Sequence, residues 1–157
     1  WAASGKVLPE LLAAMLGDPY LAQQPPKSTG RDLFHAEWLE RHLQQHAAQA
    51  AAVDVQATLA EFTAASCAHA VQRFGRGGTE LLVCGGGALN TYLMQRLAAL
   101  LPGVKVASTA ECGLPPLEVE AAAFAWLARQ CLLGLPGNLA SVTGASGPRI
   151  LGAIHPA

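Results

Sequence analysis

Charged residues and aromatic residues are both scarce in this sequence. Of the 157 residues, 13% are charged and 6% are aromatic, while 52% are hydrophobic. No unbroken apolar run reaches the roughly 18 residues that a membrane-spanning helix needs, so no membrane segment is predicted. The formal net charge of −1 provides no electrostatic attraction to nucleic acid or to an anionic membrane. The length permits one domain with a hydrophobic core.

The cysteines and histidines form no recognisable motif. No CxxC pair occurs, and no Cys/His combination has the spacing of a zinc site, so we predict no metal ligand in this chain. No Ser/His/Asp or Cys/His arrangement indicates a nucleophile. There is no secretory signal pattern, which favours a cytoplasmic protein. Since free cysteines are among the most buried residues, we expect buried thiols at Cys67, Cys84, Cys112 and Cys131.

Apolar residues recur at helical spacing through most of the chain. Asp32 and Asp54 lie near the starts of two of these stretches and are candidate N-caps. Helices are predicted in residues 5–21, 31–46, 50–75, 88–102 and 114–134.

Two short apolar segments, residues 79–87 and 103–109, predict strands, and residues 149–154 predict a third. The first of them, "TELLVCGGG", shows no alternation of polar and apolar residues, which is typical of a central strand covered on both faces. Strand, helix, strand and helix follow one another from residue 79 to 134, so we predict an α/β fold containing a βαβ unit.

Three consecutive glycines, Gly85, Gly86 and Gly87, separate the first strand from the next helix. Such a loop places free helix amides at the carboxyl end of a sheet, where they bind anions. A dinucleotide fingerprint is excluded because Asn90 replaces its third glycine and no acidic residue follows the next strand. The spacing of a P-loop is absent as well. The residues alone leave two interpretations open: a phosphate-binding loop, or a turn that only needs to be tight.

Three other sets of polar residues also have two interpretations each. Glu118 and Glu120 lie in the predicted first turn of the last long helix, where acids offset the helix dipole or point towards a polar substrate. Asn90 is either a helix cap or a nucleotide contact. Lys27 and Arg31, in a proline-stiffened loop, are either solvated or bind an anionic group.

Four segments together resemble one family. They are "PPKSTGRDLF" (25–34), "CGGGALN" (84–90), "EAAAFAWLA" (120–128) and "SVTGASGPRILGAIHPA" (141–157). In this order they are similar to the carboxyl-terminal half of the anhydro-N-acetylmuramic acid kinases. The first and last are specific to that family, whereas the glycine loop followed by asparagine is shared more widely among sugar kinases of the actin-like ATPase superfamily.

The resemblance implies a fold of two ribonuclease-H-like lobes, with a central mixed sheet flanked by helices and ATP bound between the lobes. Residues 1–157 would form the carboxyl-terminal lobe. The amino-terminal lobe, with its phosphate loop and the aspartate that acts as general base, is expected outside this chain. No catalytic residue is therefore expected here, and this fragment alone is expected to be inactive. The family is expected to form homodimers.

The implied reaction uses ATP and Mg²⁺. It opens the 1,6-anhydro bridge of anhydro-N-acetylmuramic acid with water and phosphorylates O6, giving N-acetylmuramic acid 6-phosphate for peptidoglycan recycling. The resemblance assigns nucleotide binding to Gly85, Gly86, Gly87 and Asn90 and sugar binding to Glu120. Lys27 and Arg31 are candidates for further contacts in the cleft. The alternative is a non-catalytic nucleotide-binding or assembly module of the same superfamily.

Overall fold

The computed structural model of the chain describes residues 1–155, which form helices around a small parallel sheet. The helices are α1 (Pro9–Leu16), α2 (Pro19–Ala22), α3 (Ala36–His46), α4 (Ala52–Phe74), α5 (Thr91–Leu100), α6 (Val119–Leu132) and α7 (Ala140–Thr143). The strands are β1 (Glu80–Val83) and β2 (Lys105–Ser108), and single 3₁₀ turns occupy Ala2–Ser4, Gly86–Leu89 and Thr109–Cys112. Within residues 1–155, no helix combines the length and the hydropathy needed to cross a membrane.

The predicted βαβ unit is confirmed. Strands β1 and β2 pair in parallel, with Glu80 opposite Lys105 and Val83 opposite Ser108. Helix α5 forms the connection between them and packs on α4. The described strands therefore give a mixed α/β fold with a two-stranded parallel sheet, rather than the larger mixed sheet that the resemblance implies.

Two expectations about the strands are wrong. The apolar strand β1 is not covered on both faces, because its residues alternate between exposed and half-buried and Leu82 is exposed. No strand forms over residues 149–154. Instead, the Arg149 amide donates to Asn138 Oδ1 at 2.6 Å and the Arg149 carbonyl accepts from the Gly137 amide at 2.9 Å. These bonds fold the segment into a closed loop.

The five longer helices, α1 and α3 to α6, form where the apolar spacing predicts them, whereas α7 was not predicted, and neither aspartate is the N-cap. Helix α3 begins at Ala36, and the His35 side chain accepts from the Trp38 amide. Asp32 accepts from the Gly30 amide in the preceding loop. Asp54 lies inside the first turn of α4 and accepts from the Lys6 amide at 2.7 Å, a contact 48 residues apart in sequence. Both carboxylates accept hydrogen bonds from backbone amides, but these amides belong to loops and not to the helices that the aspartates were predicted to cap.

The hydrophobic core lies between α1, α3 and α4. Leu11, Met15 and Trp38 are its buried centre, and Phe34 and Phe62 pack edge-on against one another beside Trp38. The indole nitrogen of Trp38 donates to Asp18 Oδ2 at 3.0 Å. Asp18 Oδ1 accepts from the Tyr20 amide at 2.9 Å, which caps α2. One carboxylate thus satisfies the buried indole and starts a helix.

A second contact surface joins α4 to α5. Most of the buried residues of α4 are small, including Ala64 and Ala68, and small side chains permit close approach of neighbouring elements. Glu61 is also buried there, and it accepts from Arg96 Nε at 2.6 Å and from a terminal guanidinium nitrogen at 3.0 Å. This bidentate hydrogen bond raises the pKa of Arg96 above its usual value. The pair fixes α5 on α4.

The cysteines are not buried, contrary to expectation. Cys67, Cys84 and Cys112 are exposed, and Cys131 is half-buried. Cys84 and Cys112 lie at the carboxyl ends of β1 and of the turn after β2, where no layer of residues 1–155 covers the sheet.

Substitution of Arg96 by Met should destabilise the fold by roughly 1–3 kcal/mol, because the largely buried Glu61 carboxylate would lose its hydrogen-bond partner. Denaturant unfolding measures the loss. The matched control is Glu61→Leu combined with Arg96→Met, which removes both charges and should recover a large part of that loss. A double variant as unstable as Arg96→Met alone would show that the ion pair is not the cause.

A second prediction concerns pH. Burial, followed by the nearby His46, lowers the pKa of His42 below its ordinary value near 6.5. Arg41 lowers this pKa further, whereas Asp18 raises it. The unfolded chain therefore binds a proton more readily than the folded one, and stability should be full above about pH 6.5 and decline as the pH falls.

His42→Phe keeps a ring beside Trp38, whose ring centroid is 4.6 Å from that of His42, and removes the titration. Melting temperatures between pH 7 and pH 5 should fall more steeply in the wild type than in His42→Phe. The exposed His69, changed to Gln, is the control and should leave the slope unchanged. Parallel curves for wild type and His42→Phe would contradict this assignment.

Candidate functional site

The glycine loop begins directly after β1. Gly85 has φ +73° and ψ −172°, a conformation open in practice only to glycine. The chain then makes the 3₁₀ turn Gly86–Leu89 and enters α5 at Thr91. The reversal from strand to helix therefore requires glycine at position 85 alone.

Gly86 and Gly87 are not required by the backbone, since neither has positive φ. A Cβ added at Gly86 would meet nothing within 4 Å, and one at Gly87 would make only an ordinary contact with Leu93 at 3.5 Å. Within residues 1–155, nothing in the turn demands glycine at 86. The interpretation of the loop as a tight turn therefore explains one glycine of the three, and open space lies beside Gly86.

Of the three glycine amides in this loop, one donates a hydrogen bond and two are free within residues 1–155. The Gly85 amide donates to the Pro116 carbonyl at 2.7 Å. The amides of Gly86 and Gly87, at the start of the 3₁₀ turn, donate to no acceptor within residues 1–155. Two adjacent free amides beside open space form a suitable site for an anionic oxygen.

Asn90 caps α5. Its Oδ1 accepts from the Leu93 amide at 3.1 Å, so the capping interpretation of this residue is confirmed. The side-chain NH₂ group donates no hydrogen bond within the described residues and lies on an exposed residue. The cap therefore uses only the oxygen of the amide and leaves the donor end for a further contact.

The bond from Gly85 to Pro116 brings the loop to the segment that leads into α6. Glu120 lies in the first turn of α6, as predicted, and its side chain is exposed. Glu118 is the residue before the helix, and its side chain makes no capping bond. The loop and the start of α6 thus belong to one edge of the molecule. No pattern in the sequence identifies the Pro116 carbonyl as the anchor, because a residue of any type could supply that oxygen.

Lys27 is engaged elsewhere. Its Nζ donates to the carbonyls of Tyr20 and Leu21 at 2.9 and 3.0 Å and lies 4.7 Å from the centre of the Tyr20 ring. The ammonium therefore satisfies carbonyls at the end of α2. Arg31 is exposed and borders a groove against Phe34.

The proline-rich segment and the carboxyl-terminal segment of the resemblance meet in space. A Cβ added at Gly144 would lie 3.1 Å from Cγ of Pro26, and Gly144 has φ +72°. The last two residues of the carboxyl-terminal segment, 156 and 157, lie outside the described residues. Within residues 1–155, no group of three or more His, Cys, Asp or Glu side chains is arranged to hold a metal ion.

A glycine loop with free amides between a parallel strand and a helix is typical of α/β proteins that bind phosphate groups. The chain belongs to the anhydro-N-acetylmuramic acid kinase family, which it matches over residues 1–157. Proteins called anhydro-N-acetylmuramic acid kinase from Variovorax paradoxus, Albidiferax ferrireducens and Cupriavidus pinatubonensis are 63%, 60% and 59% identical to it. The alignments cover 100%, 100% and 99% of this chain but 42%, 40% and 42% of those proteins. The chain thus spans about two-fifths of the length of these relatives.

Proposed function

We propose that this chain is part of an ATP-dependent kinase that opens 1,6-anhydro-N-acetylmuramic acid with water and phosphorylates O6, yielding N-acetylmuramic acid 6-phosphate for peptidoglycan recycling. The observation that carries the proposal is the glycine at position 86, which the fold does not require and which has open space and a free amide. Membership of the kinase family supports the same reaction class.

The glycine loop would hold the nucleotide. Phosphoryl transfer depends mainly on positioning and on neutralising charge, so free amides aimed at a phosphate contribute directly. The amides of Gly86 and Gly87 would donate to phosphate oxygens, and the NH₂ group of Asn90 would add a third donor. The Glu61–Arg96 pair fixes α5, and with it the loop, on α4.

The remaining chemistry would be divided between this chain and the rest of the protein. A carboxylate outside residues 1–157 would take a proton from water as the water oxygen bonds to the anomeric carbon and the anhydro C–O6 bond breaks. O6 would then accept the phosphoryl group from ATP. Mg²⁺ would accompany the nucleotide phosphates and neutralise their charge. Residues 1–157 alone are therefore expected to be inactive.

Glu120 would contact the sugar. It is exposed in the first turn of α6, four residues after the Pro116 carbonyl that anchors the glycine loop. A carboxylate there would accept hydrogen bonds from sugar hydroxyls or stabilise positive charge at the anomeric carbon. Lys27 is given no substrate contact because its ammonium is committed to two carbonyls. Arg31 remains a candidate for a contact in the cleft.

Gly86→Val in the full-length protein should weaken ATP binding at least about tenfold while the fold survives. The side chain would enter the open space beside the free amides, and the ordinary φ of Gly86 imposes no strain on a residue with a Cβ. Titration calorimetry with a non-hydrolysable ATP analogue, together with a melting curve, measures both effects.

Gly85→Ala is the matched control, because position 85 needs glycine for its conformation and the variant should lose roughly 1–3 kcal/mol of stability. Unchanged ATP affinity in a folded Gly86→Val protein would show that the loop is a tight turn that does not bind the nucleotide. ATP binding by the wild-type full-length protein without turnover of the anhydro sugar would favour a non-catalytic nucleotide-binding module.

Glu120→Gln separates a substrate contact from a dipole effect. If Glu120 only offsets the helix dipole, stability should fall by about 0.3–1 kcal/mol and the rate should hardly change. If it binds the sugar, as we propose, kcat/KM should fall at least about 100-fold, equivalent to about 2.7 kcal/mol of transition-state stabilisation. Steady-state kinetics on the full-length kinase and a melting curve give both numbers.

Glu118→Gln is the control for this experiment. It removes the same charge from a position two residues earlier, about 200° around the helix axis. The control should keep near-wild-type kinetics. Equal, near-wild-type kinetics in both variants would exclude a substrate role for Glu120.

A further inference from the structure

The loop between α2 and α3 is fixed at its start by two cations. Lys27 Nζ donates to the carbonyls of Tyr20 and Leu21 at 2.9 and 3.0 Å. The next carbonyl, that of Ala22, accepts from a terminal guanidinium nitrogen of Arg73 at 3.2 Å. Because Arg73 lies in the last turn of α4, these bonds attach the start of the loop to that helix.

The other end of the loop is fixed as well. The Gly30 amide donates to Asp32 Oδ1 at 3.1 Å, and the Gly30 carbonyl accepts from the amides of Leu33 and Phe34, both at 3.2 Å. Phe34 in turn packs against the hydrophobic core. The loop therefore has an anchor on each side of residues 28–31, which we call the polar tip.

The polar tip carries hydrogen-bond donors that have no acceptor. The side chains and the backbone amides of Ser28, Thr29 and Arg31 donate no hydrogen bond within residues 1–155. Ser28 and Arg31 are exposed, and Thr29 is half-buried. Arg31 forms no salt bridge with any carboxylate in this part of the chain, including that of its neighbour Asp32.

These donors suit an anionic group that has two or more oxygens. A guanidinium donates two parallel hydrogen bonds to a carboxylate or a phosphate, and hydroxyls and free backbone amides donate to the same oxygens. The ammonium of Lys27 adds positive charge at the base of the tip. Pro25 and Pro26 restrict the backbone just before it. Since the loop is already held at both ends, binding a ligand would cost little ordering.

We propose that the polar tip is a second anion-binding site, in addition to the glycine loop, and that Lys27 is a positioning residue for it. Its ligand is a carboxylate or phosphate group. In the proposed reaction, on which this inference rests, the sugar acid supplies a carboxylate and ATP supplies phosphates. The glycine loop already offers free amides to the nucleotide, so the tip is assigned to the carboxylate of the sugar acid.

Binding to the full-length protein tests the site with three probes: anhydro-N-acetylmuramic acid, its uncharged methyl ester, and a non-hydrolysable ATP analogue. In titration calorimetry the wild type should bind the acid at least about tenfold more tightly than the ester, because hydrogen bonds to a charged group are the stronger ones. Arg31→Met should bind acid and ester equally and keep its affinity for the ATP analogue. Arg41→Met removes a guanidinium from an exposed position of α3 and should behave as the wild type.

Lys27 is tested by the same preference for the acid over the ester. Lys27→Met should reduce that preference, and Lys27→Arg, which keeps a cation, should restore part of it. Combined with Arg31→Met, Lys27→Met should cause no further loss, because a positioning residue acts only through the group that it positions. Melting curves show whether each variant is folded, and Arg31→Met, at an exposed position, tests the site even if Lys27→Met does not fold.

Equal affinities of the wild type and Arg31→Met for all three probes would overturn the proposal. A loss confined to the ATP analogue would support an anion site but assign it to a phosphate. Additive losses in the double variant would overturn the positioning role of Lys27. Because binding is measured without turnover, a wild type that prefers the acid through Arg31 but does not phosphorylate it would contradict the proposed reaction and still support the site.

Discussion

The bidentate pair between Glu61 and Arg96 is the interaction on which the position of the glycine loop depends. Helix α5 follows the loop directly, so any movement of α5 on α4 displaces the loop as well. Four of the six buried residues of α4 are alanines, and such small side chains allow a close approach but offer little shape to fix the register of a neighbouring helix. A buried carboxylate that accepts two hydrogen bonds from a planar guanidinium has few acceptable geometries. The pair thus supplies the orientation that the alanine surface lacks.

The loop is held at its other end by one backbone bond, from the Gly85 amide to the Pro116 carbonyl. This bond connects the βαβ unit to α6, which is otherwise weakly attached to the described core. The end of β1, the loop and the segment that leads into α6 therefore meet at this bond, with two free amides and the exposed Asn90 on the loop side and the exposed Glu120 four residues after Pro116.

Much of the fold follows from patterns that are local in sequence. Helical spacing located the helices, and the apolar runs located β1 and β2, because secondary structure is determined by short-range periodicity. The predictions that failed concern what covers those elements. Cys84 was expected in the core and Leu82 on a doubly covered strand, yet both are exposed. An apolar sequence indicates that a residue belongs inside a complete protein, and it does not indicate which segment will cover it. The same reason explains why the apolar side chains of Phe124 and Leu132 on α6 are exposed.

For the candidate site, the order of residues along the chain identifies the candidates: three glycines after a strand, an asparagine at the next helix and a glutamate in the first turn of α6. Each candidate has two interpretations at that level, because a glycine permits many conformations and an acid near a helix start is favourable with or without a ligand. The folded structure shows that Asn90 caps α5, that Lys27 donates to carbonyls, and that the turn needs glycine at position 85 but not at position 86. Those decisions depend on distances between residues far apart in the chain. The contact between Gly85 and Pro116 is one such distance, and periodicity in a single segment carries no information about it.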